Sequence, residues 1–316
     1  MLLDMFKTTV HHNSAFFIIS RFCQQVKEKD SCVVLFLHIF LSFRAPRRRK
    51  ETVLDEMFLQ AELLIDRVRI PAVISVRSRD EILLPLLRRL TDLQHMLGRR
   101  LIVLLGAAPG AGKSVLTACL EQFSAQDPSL TPVQVLGLDG FHHTNDYLLS
   151  HETVYEGTTY NLRSVKGWPE TFRADSLLDT VRALKTAPSV LCPVYDRSLH
   201  EPVPDRLLIS ADIVIIEGMW MLCDQDAWAA LQEEADYRIL LLANVPTLRE
   251  RAVARKVRGG MTPEAARAFF DTADCQAIRR ILSHIAPPDL ILESTADYDL
   301  ISYGADIPDL TPYFPD

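Results

Sequence analysis

The sequence predicts an α/β fold: three layers, α/β/α, around a mostly parallel sheet. Three observations carry this. An apolar run, Leu101–Leu105, passes through a glycine-rich turn into a helical pattern made by Val115, Leu116, Cys119 and Leu120. Two further largely apolar runs, Val133–Leu138 and Ala211–Ile216, each end at an acid, Asp139 and Glu217. The segments between such runs show the helical period, as at Leu177, Leu178, Val181 and Leu184. Strands that alternate with helices imply a parallel sheet covered on both faces. Unbroken apolar runs, rather than alternating ones, are what two covered faces require.

The glycine-rich turn is Gly106-Ala107-Ala108-Pro109-Gly110-Ala111-Gly112-Lys113-Ser114. Strand, turn, Lys-Ser and helix in that order form a phosphate loop (P-loop), so the fold expected is that of the P-loop NTPases. Ala108, Pro109, Gly110, Ala111 and Gly112 would bring backbone N–H groups onto an anion, helped by the positive end of the helix that begins there. Lys113 would reach the terminal phosphates, and Ser114 would ligate Mg²⁺. The strict pattern wants glycine at Ala107, where alanine is tolerable if its φ is negative.

Length and composition set bounds. The 316 residues suffice for one large or two ordinary domains, and 48% apolar with 24% charged residues suits a globular protein. The net charge of -7 argues against a general nucleic-acid binder. Charge is uneven: residues 1–50 hold nine basic and three acidic residues, so the remainder holds 25 and 38, a net of -13. The six cysteines (23, 32, 119, 192, 223 and 275) show no paired spacing. They suit a reducing cytoplasm, with neither a disulfide framework nor a zinc site.

Residues 1–56 read as an N-terminal extension, and residues 57–316 as the domain that carries the phosphate loop. The apolar run 33–41 and the basic cluster that follows it are too short to span a bilayer. Residues 33–50 leave three readings open: a peripheral membrane anchor, an ordered extra element, or disordered or non-native sequence upstream of Met57. The last is favoured. Residues 57–98 carry helical periodicity, clearest from Ile82 to Met96, and Ser78 with Glu81 predicts a capping box.

Asp139 follows the second strand, so it falls at the sheet's carboxyl edge beside the phosphate loop. A carboxylate there could take a proton from an attacking hydroxyl, or position Mg²⁺. Next to it, His142 and His143 are each either pocket or bystander residues. The polar stretch 144–175 reads as a substrate-side loop, in which Lys166 is a phosphate or acid contact or else a solvated lysine. Pro193 predicts an edge or irregular strand. Beyond it, Tyr195, Asp196, Arg197 and His200 suit a pocket for polyol or sugar hydroxyls, or else a satisfied turn. Glu217 is the Walker-B candidate for Mg²⁺. Two arginines one turn apart, Arg251 and Arg255, share a face of a basic helix that ends at Gly259-Gly260. On a helical lid they would oppose charge on a transferred phosphoryl, and on an ordinary solvated helix they would look the same.

With these residues laid out, the chain resembles the phosphoribulokinase/uridine kinase family of P-loop kinases, to which bacterial pantothenate kinases also belong. The likeness spans roughly residues 75–300. It rests on Ala108–Ser114, Asp139-Gly140-Phe141-His142, Lys166-Gly167 with Pro169–Phe172, Tyr195-Asp196-Arg197 with His200, Glu217-Gly218 with Trp220, and Arg251 with Arg255. It implies that Asp139 is the catalytic base, that Tyr195, Asp196 and His200 bind the acceptor, and that Arg251 and Arg255 are lid arginines. It also departs from the pattern. The likeness is closest to the family's nucleoside/nucleotide kinase-like branch, and Met219 and Ala277 stand where that branch usually has Asn, which removes amide hydrogen-bonding capacity on the acceptor side.

The activity expected is therefore an ATP- and Mg²⁺-dependent transfer of the γ-phosphoryl to a hydroxyl of a small metabolite: a nucleoside, a sugar or a pantothenate-like alcohol. An ATP-binding regulator or pseudokinase is the alternative raised by Met219 and Ala277. A switch GTPase is weaker, because no Asn-Lys-x-Asp stretch reads guanine. The sequence leaves the oligomeric state open, a homodimer included.

Overall fold

The structure is a computed structural model that describes residues 58–65, 68–297 and 299–315. All of these belong to one unit, Glu56–Asp316. The readings made of residues 1–56 lie outside the described residues. Among the described residues, no helix is long and apolar enough to cross a membrane.

The chain opens with an antiparallel ribbon, β1 (Phe58–Ile65) and β2 (Val68–Ser75), in which Phe58 pairs with Ser75 and Ile65 with Val68. This corrects the helical reading of 57–98 over its first part. Pro71 opposes a helix interior, and β-branched Val68, Ile70, Val73 and Ile74 favour extended chain. The helix comes later, as a π-helical turn (Ser78–Leu83) that runs into α1 (Leu84–Leu97). The expected capping box is absent. The Ser78 amide donates instead to Ser75 Oγ at 2.9 Å, the Ser78 hydroxyl bonds Asp299, and Glu81 turns back to Arg77. Gly98, at φ 61, closes α1 in the left-handed conformation.

Then β3 (Leu101–Ala107) enters the core, buried at all seven positions, and the phosphate loop leads to α2 (Lys113–Gln126). β4 (Val133–Gly137) runs into a 3₁₀ turn, Leu138–Phe141. The 144–175 stretch, read as a loop, carries α3 (Asn145–Ser150) and a small hairpin of β5 (Glu152–Tyr155) and β6 (Thr158–Asn161). After α4 (Ala174–Thr186), β7 (Val190–Asp196) and β8 (Glu201–Ile209) form a separate antiparallel pair. Pro193 has no N–H to donate, and the register slips between Cys192 and Val194 as that residue predicts. Next come β9 (Ile213–Gly218), α5 (Asp226–Glu233), β10 (Tyr237–Leu242) and α6 (Val245–Arg258). α7 (Pro263–Phe269), a π-helical turn (Phe270–Asp274) and α8 (Cys275–Ser283) follow without a break, then β11 (Leu290–Ser294) and β12 (Leu300–Gly304).

The main sheet has the order β4-β9-β3-β10-β11-β12, parallel except for β12. Helices flank it, β3 is buried at every position and β9 at every position but Glu217. The amino edge of β3 is fastened by Arg100. Its buried guanidinium donates to the backbone carbonyls of Ala187 (2.8 Å), Pro188 (2.7 Å) and Ala211 (2.7 Å). It thereby satisfies acceptors where α4 ends, groups that would be costly to leave buried and unmade.

Candidate active site

Strand register builds the site. Glu217 lies opposite Leu105 of β3 and Gly137 of β4, so it reaches the carboxyl edge between the phosphate loop and Asp139. Along the loop, Ala107 ends β3 and is not among the residues with positive φ, so the departure from glycine there costs no strain. Gly110 and Gly112 do have positive φ, 89° and 97°. A Cβ on Gly110 would also meet the Leu248 carbonyl oxygen at 2.8 Å, so the loop and the start of α6 approach as only glycine allows.

Ser114 Oγ donates to Glu217 Oε1 at 2.9 Å, and Lys113 Nζ lies 3.9 Å from Glu217 Oε2. A hydroxyl and a carboxylate at a helix N-terminus are hard oxygen donors, which fits Mg²⁺ held together with phosphate oxygens. Asp139 faces open solvent in a recess that protein otherwise crowds. That crowding raises its carboxyl. The charges of His142, Lys113, Arg255 and Arg197 outweigh it and hold Asp139 below the usual carboxylate range. His142 contributes only when protonated, so at neutral pH the lysine and the two arginines supply the field.

His142 is buried and stacks on Phe172 at 3.9 Å between ring centroids. Burial drives its imidazole down to about 4, so it is neutral at pH 7. Its Nδ1 lies 3.2 Å from the Thr171 carbonyl, which can only accept. Nδ1 therefore carries the proton, and Nε2 keeps its lone pair. Tyr195 approaches the His142 ring edge-on at 5.8 Å. Burial, then the charge of Asp139, pushes its phenol up to about 12, which makes it a donor that stays protonated.

Lys166 is half-buried, and burial lowers its ammonium. It donates to Tyr195 OH (2.9 Å), Asn145 Oδ1 (3.1 Å) and the His200 carbonyl (3.2 Å). These three contacts match the three protons of an ammonium. Asp196 Oδ1 accepts from the Ser198 amide (2.8 Å) and the Leu199 amide (3.1 Å), which shapes the turn between β7 and β8. In that turn His200 has φ 54 and an exposed ring, and Arg197 is exposed near Asp139. On the other flank, Arg251 donates to Ser294 Oγ (2.9 Å) and the Thr295 carbonyl (2.5 Å) beside Gly112. Arg255 projects exposed from the same helix, and its charge bears on Asp139.

Asp139, His142, Lys166 and Tyr195 thus converge on one recess beside Lys113, Ser114 and Glu217. Asp196 and His200 serve the hairpin turn through the contacts just described. Met219 Cε lies 3.3 Å from where a Cβ on Gly167 would be, and Ala277 is 3% exposed within the core. Sequence reasoning missed Asn145 and quoted Thr171 only as part of the stretch 169–172. Each meets its partner, Lys166 or His142, across a loop, which no local spacing reveals.

A sequence model described as the Phosphoribulokinase / Uridine kinase family matches residues 102–258. The chain is 37% identical over 240 residues to the uncharacterized protein YggC of Escherichia coli K12, covering 76% of this chain and 97% of that one. It is 31% identical over 144 residues to the pantothenate kinase of Sodalis glossinidius, 43% of each chain. Among solved structures it is similar to a putative fructose transport system kinase from Silicibacter sp. TM1040. That match has a TM-score of 0.55 and 30% identity, and covers 63% of this chain and 96% of that one. Phosphate loop, strand-end acids and these likenesses agree: the chain belongs to the phosphoribulokinase/uridine kinase family of P-loop kinases.

Proposed function

We propose that this chain transfers the γ-phosphoryl of ATP to a hydroxyl of a small metabolite: a nucleoside, a sugar or a pantothenate-like alcohol. The observation that carries the reading is Asp139. It is a carboxylate held ionised by surrounding cations, in the turn just past the end of β4 and near the phosphate-loop lysine. The acceptor oxygen forms a bond to the γ-phosphorus. The bond from that phosphorus to the β–γ bridging oxygen breaks, and its electron pair leaves on ADP. The hydroxyl proton passes to Asp139. Lys113 and the backbone of residues 108–112 hold the phosphates, and Arg255 and Arg251 oppose the charge on the moving group. Ser114 and Glu217 are the residues that would hold Mg²⁺, which when bound neutralises phosphate charge. Tyr195 donates and His142 accepts toward hydroxyls of the acceptor.

The test is an assay of ADP and phosphorylated product across nucleosides, sugars and pantothenate-like alcohols. Asp139→Asn is expected to lower transfer by about 10²–10⁴-fold with ATP binding retained. The reading is lost if no acceptor is phosphorylated and Asp139→Asn leaves background ATP turnover unchanged.

A further inference from the structure

The helical run 263–283 touches both flanks of the site. At one end it is bound to α6, the helix that carries Arg251 and Arg255. Lys256 Nζ donates to Asp274 Oδ2 at 2.7 Å, with only 13% and 9% of those side chains exposed. The same ammonium lies 4.5 Å over the Phe269 ring. Arg249 adds an exposed pair to Asp271 at 2.8 Å. Both aspartates come from the π-helical turn Phe270–Asp274, whose wider turn presents them together toward α6.

At its other end the run is bound to the loop that holds Lys166. Arg280 pairs with Glu170 at 2.7 Å. Its guanidinium lies over three rings, Tyr155 (4.5 Å), Trp168 (5.1 Å) and Trp220 (5.6 Å). Trp168 Nε1 donates to the carbonyl of Ala273, inside the π-helical turn, at 3.3 Å. Trp220 Nε1 donates to the Gly167 carbonyl at 2.8 Å, next to Lys166 and its bond to Tyr195.

We propose that the run 263–283 couples the lid helix to the acceptor-side loop, with Asp274 and Arg280 as its positioning residues. The inference rests on the kinase reading in naming these flanks. A largely buried ion pair and a cation packed between rings resist sliding, because moving either partner leaves a charge poorly solvated. Displacement of α6 on nucleotide binding is therefore carried through Asp274 and Ala273 to Trp168, and through Gly167 to Lys166. A measurement of the coupling needs a probe at the far end of the run.

The two tryptophans around Arg280 supply it. In a Trp228→Phe background, emission comes from Trp168 and Trp220. Magnesium with a non-hydrolysable ATP analogue is titrated, with affinity followed by equilibrium dialysis and emission recorded in parallel. The background protein is expected to change its emission on saturation. Asp274→Asn and Glu170→Gln are each expected to bind the analogue within about threefold of it and to lose most of that change. Should Asp274→Asn not fold, Glu170→Gln carries the test, since it alters a partly exposed partner at the far end of the run. Analogue that binds without an emission change, or a change that survives in the variants, overturns the coupling alone. Failure of the analogue to bind overturns the reading of the phosphate site and the coupling with it.

Discussion

Gly140 follows the proposed base, and its replacement by alanine separates the geometry of the acceptor side from that of the phosphate side. A Cβ there would lie 2.6 Å from the Pro193 carbonyl oxygen, 2.9 Å from its carbon and 3.2 Å from Val194 Cα. All three are backbone atoms of β7, so no side chain can swing aside. Restoring contact of 3.0–3.4 Å from 2.6 Å requires the 3₁₀ turn and β7 to part by about 0.4–0.8 Å. Overpacking of this kind costs roughly 1–3 kcal/mol. In a domain of this size that lowers Tm by roughly 3–10 °C. Asp139 precedes Gly140 and Tyr195 follows Val194, so the same movement pulls base and donor apart. Transfer should fall about 10–100-fold, as sub-ångström to ångström misplacement does. Lys113 and Ser114 lie on another element, so ATP should still stabilise the variant, by about 2.7 kcal/mol at 100 times its Kd. Thermal denaturation with and without ATP, beside product assays, measures all three. A variant with unchanged Tm and unchanged transfer would refute the close-packing argument.

Three further outcomes are expected. His142 is held neutral when folded, with its imidazole at about 4 against an ordinary 6.5, so the unfolded chain takes up its proton first. That contribution to stability is complete above pH 6.5 and is lost as pH falls toward 4, by about 3 kcal/mol in all. Denaturant titrations should therefore show a flatter pH slope in His142→Gln than in the parent. Lys166→Met strands Tyr195 OH, Asn145 Oδ1 and the His200 carbonyl, so a loss of about 1–3 kcal/mol and a raised acceptor KM are expected, with ATP binding unaltered. An unchanged acceptor KM would count against Lys166 organising that side. Ser114→Ala removes the hydroxyl bonded to Glu217 and should raise the Mg²⁺ concentration needed for half-maximal transfer. An unshifted Mg²⁺ dependence would show that Ser114 is not a ligand.

The parallel core and its donor edge are legible in the residue order, because both are local. The run 101–105 is apolar throughout, 133–138 and 211–216 are broken only by Gln134 and Asp212, and each supplies most of a strand of the main sheet. A phosphate loop is a contiguous stretch whose glycines and Lys-Ser can be read in order. Local signals misled where a longer contact competed. The periodic stretch after Met57 begins as a ribbon, and Ser78 forgoes its cap for Ser75 and Asp299, a residue 221 positions away. The acceptor side was visible as a set of residue types and no more. It takes the folded chain to show that Lys166 donates its protons to Tyr195, Asn145 and His200, that His142 is neutral, and that one helical run ties Lys256 to the tryptophans around Arg280. Burial and hydrogen-bond partners set those properties, and the partners come from segments that the sequence keeps far apart.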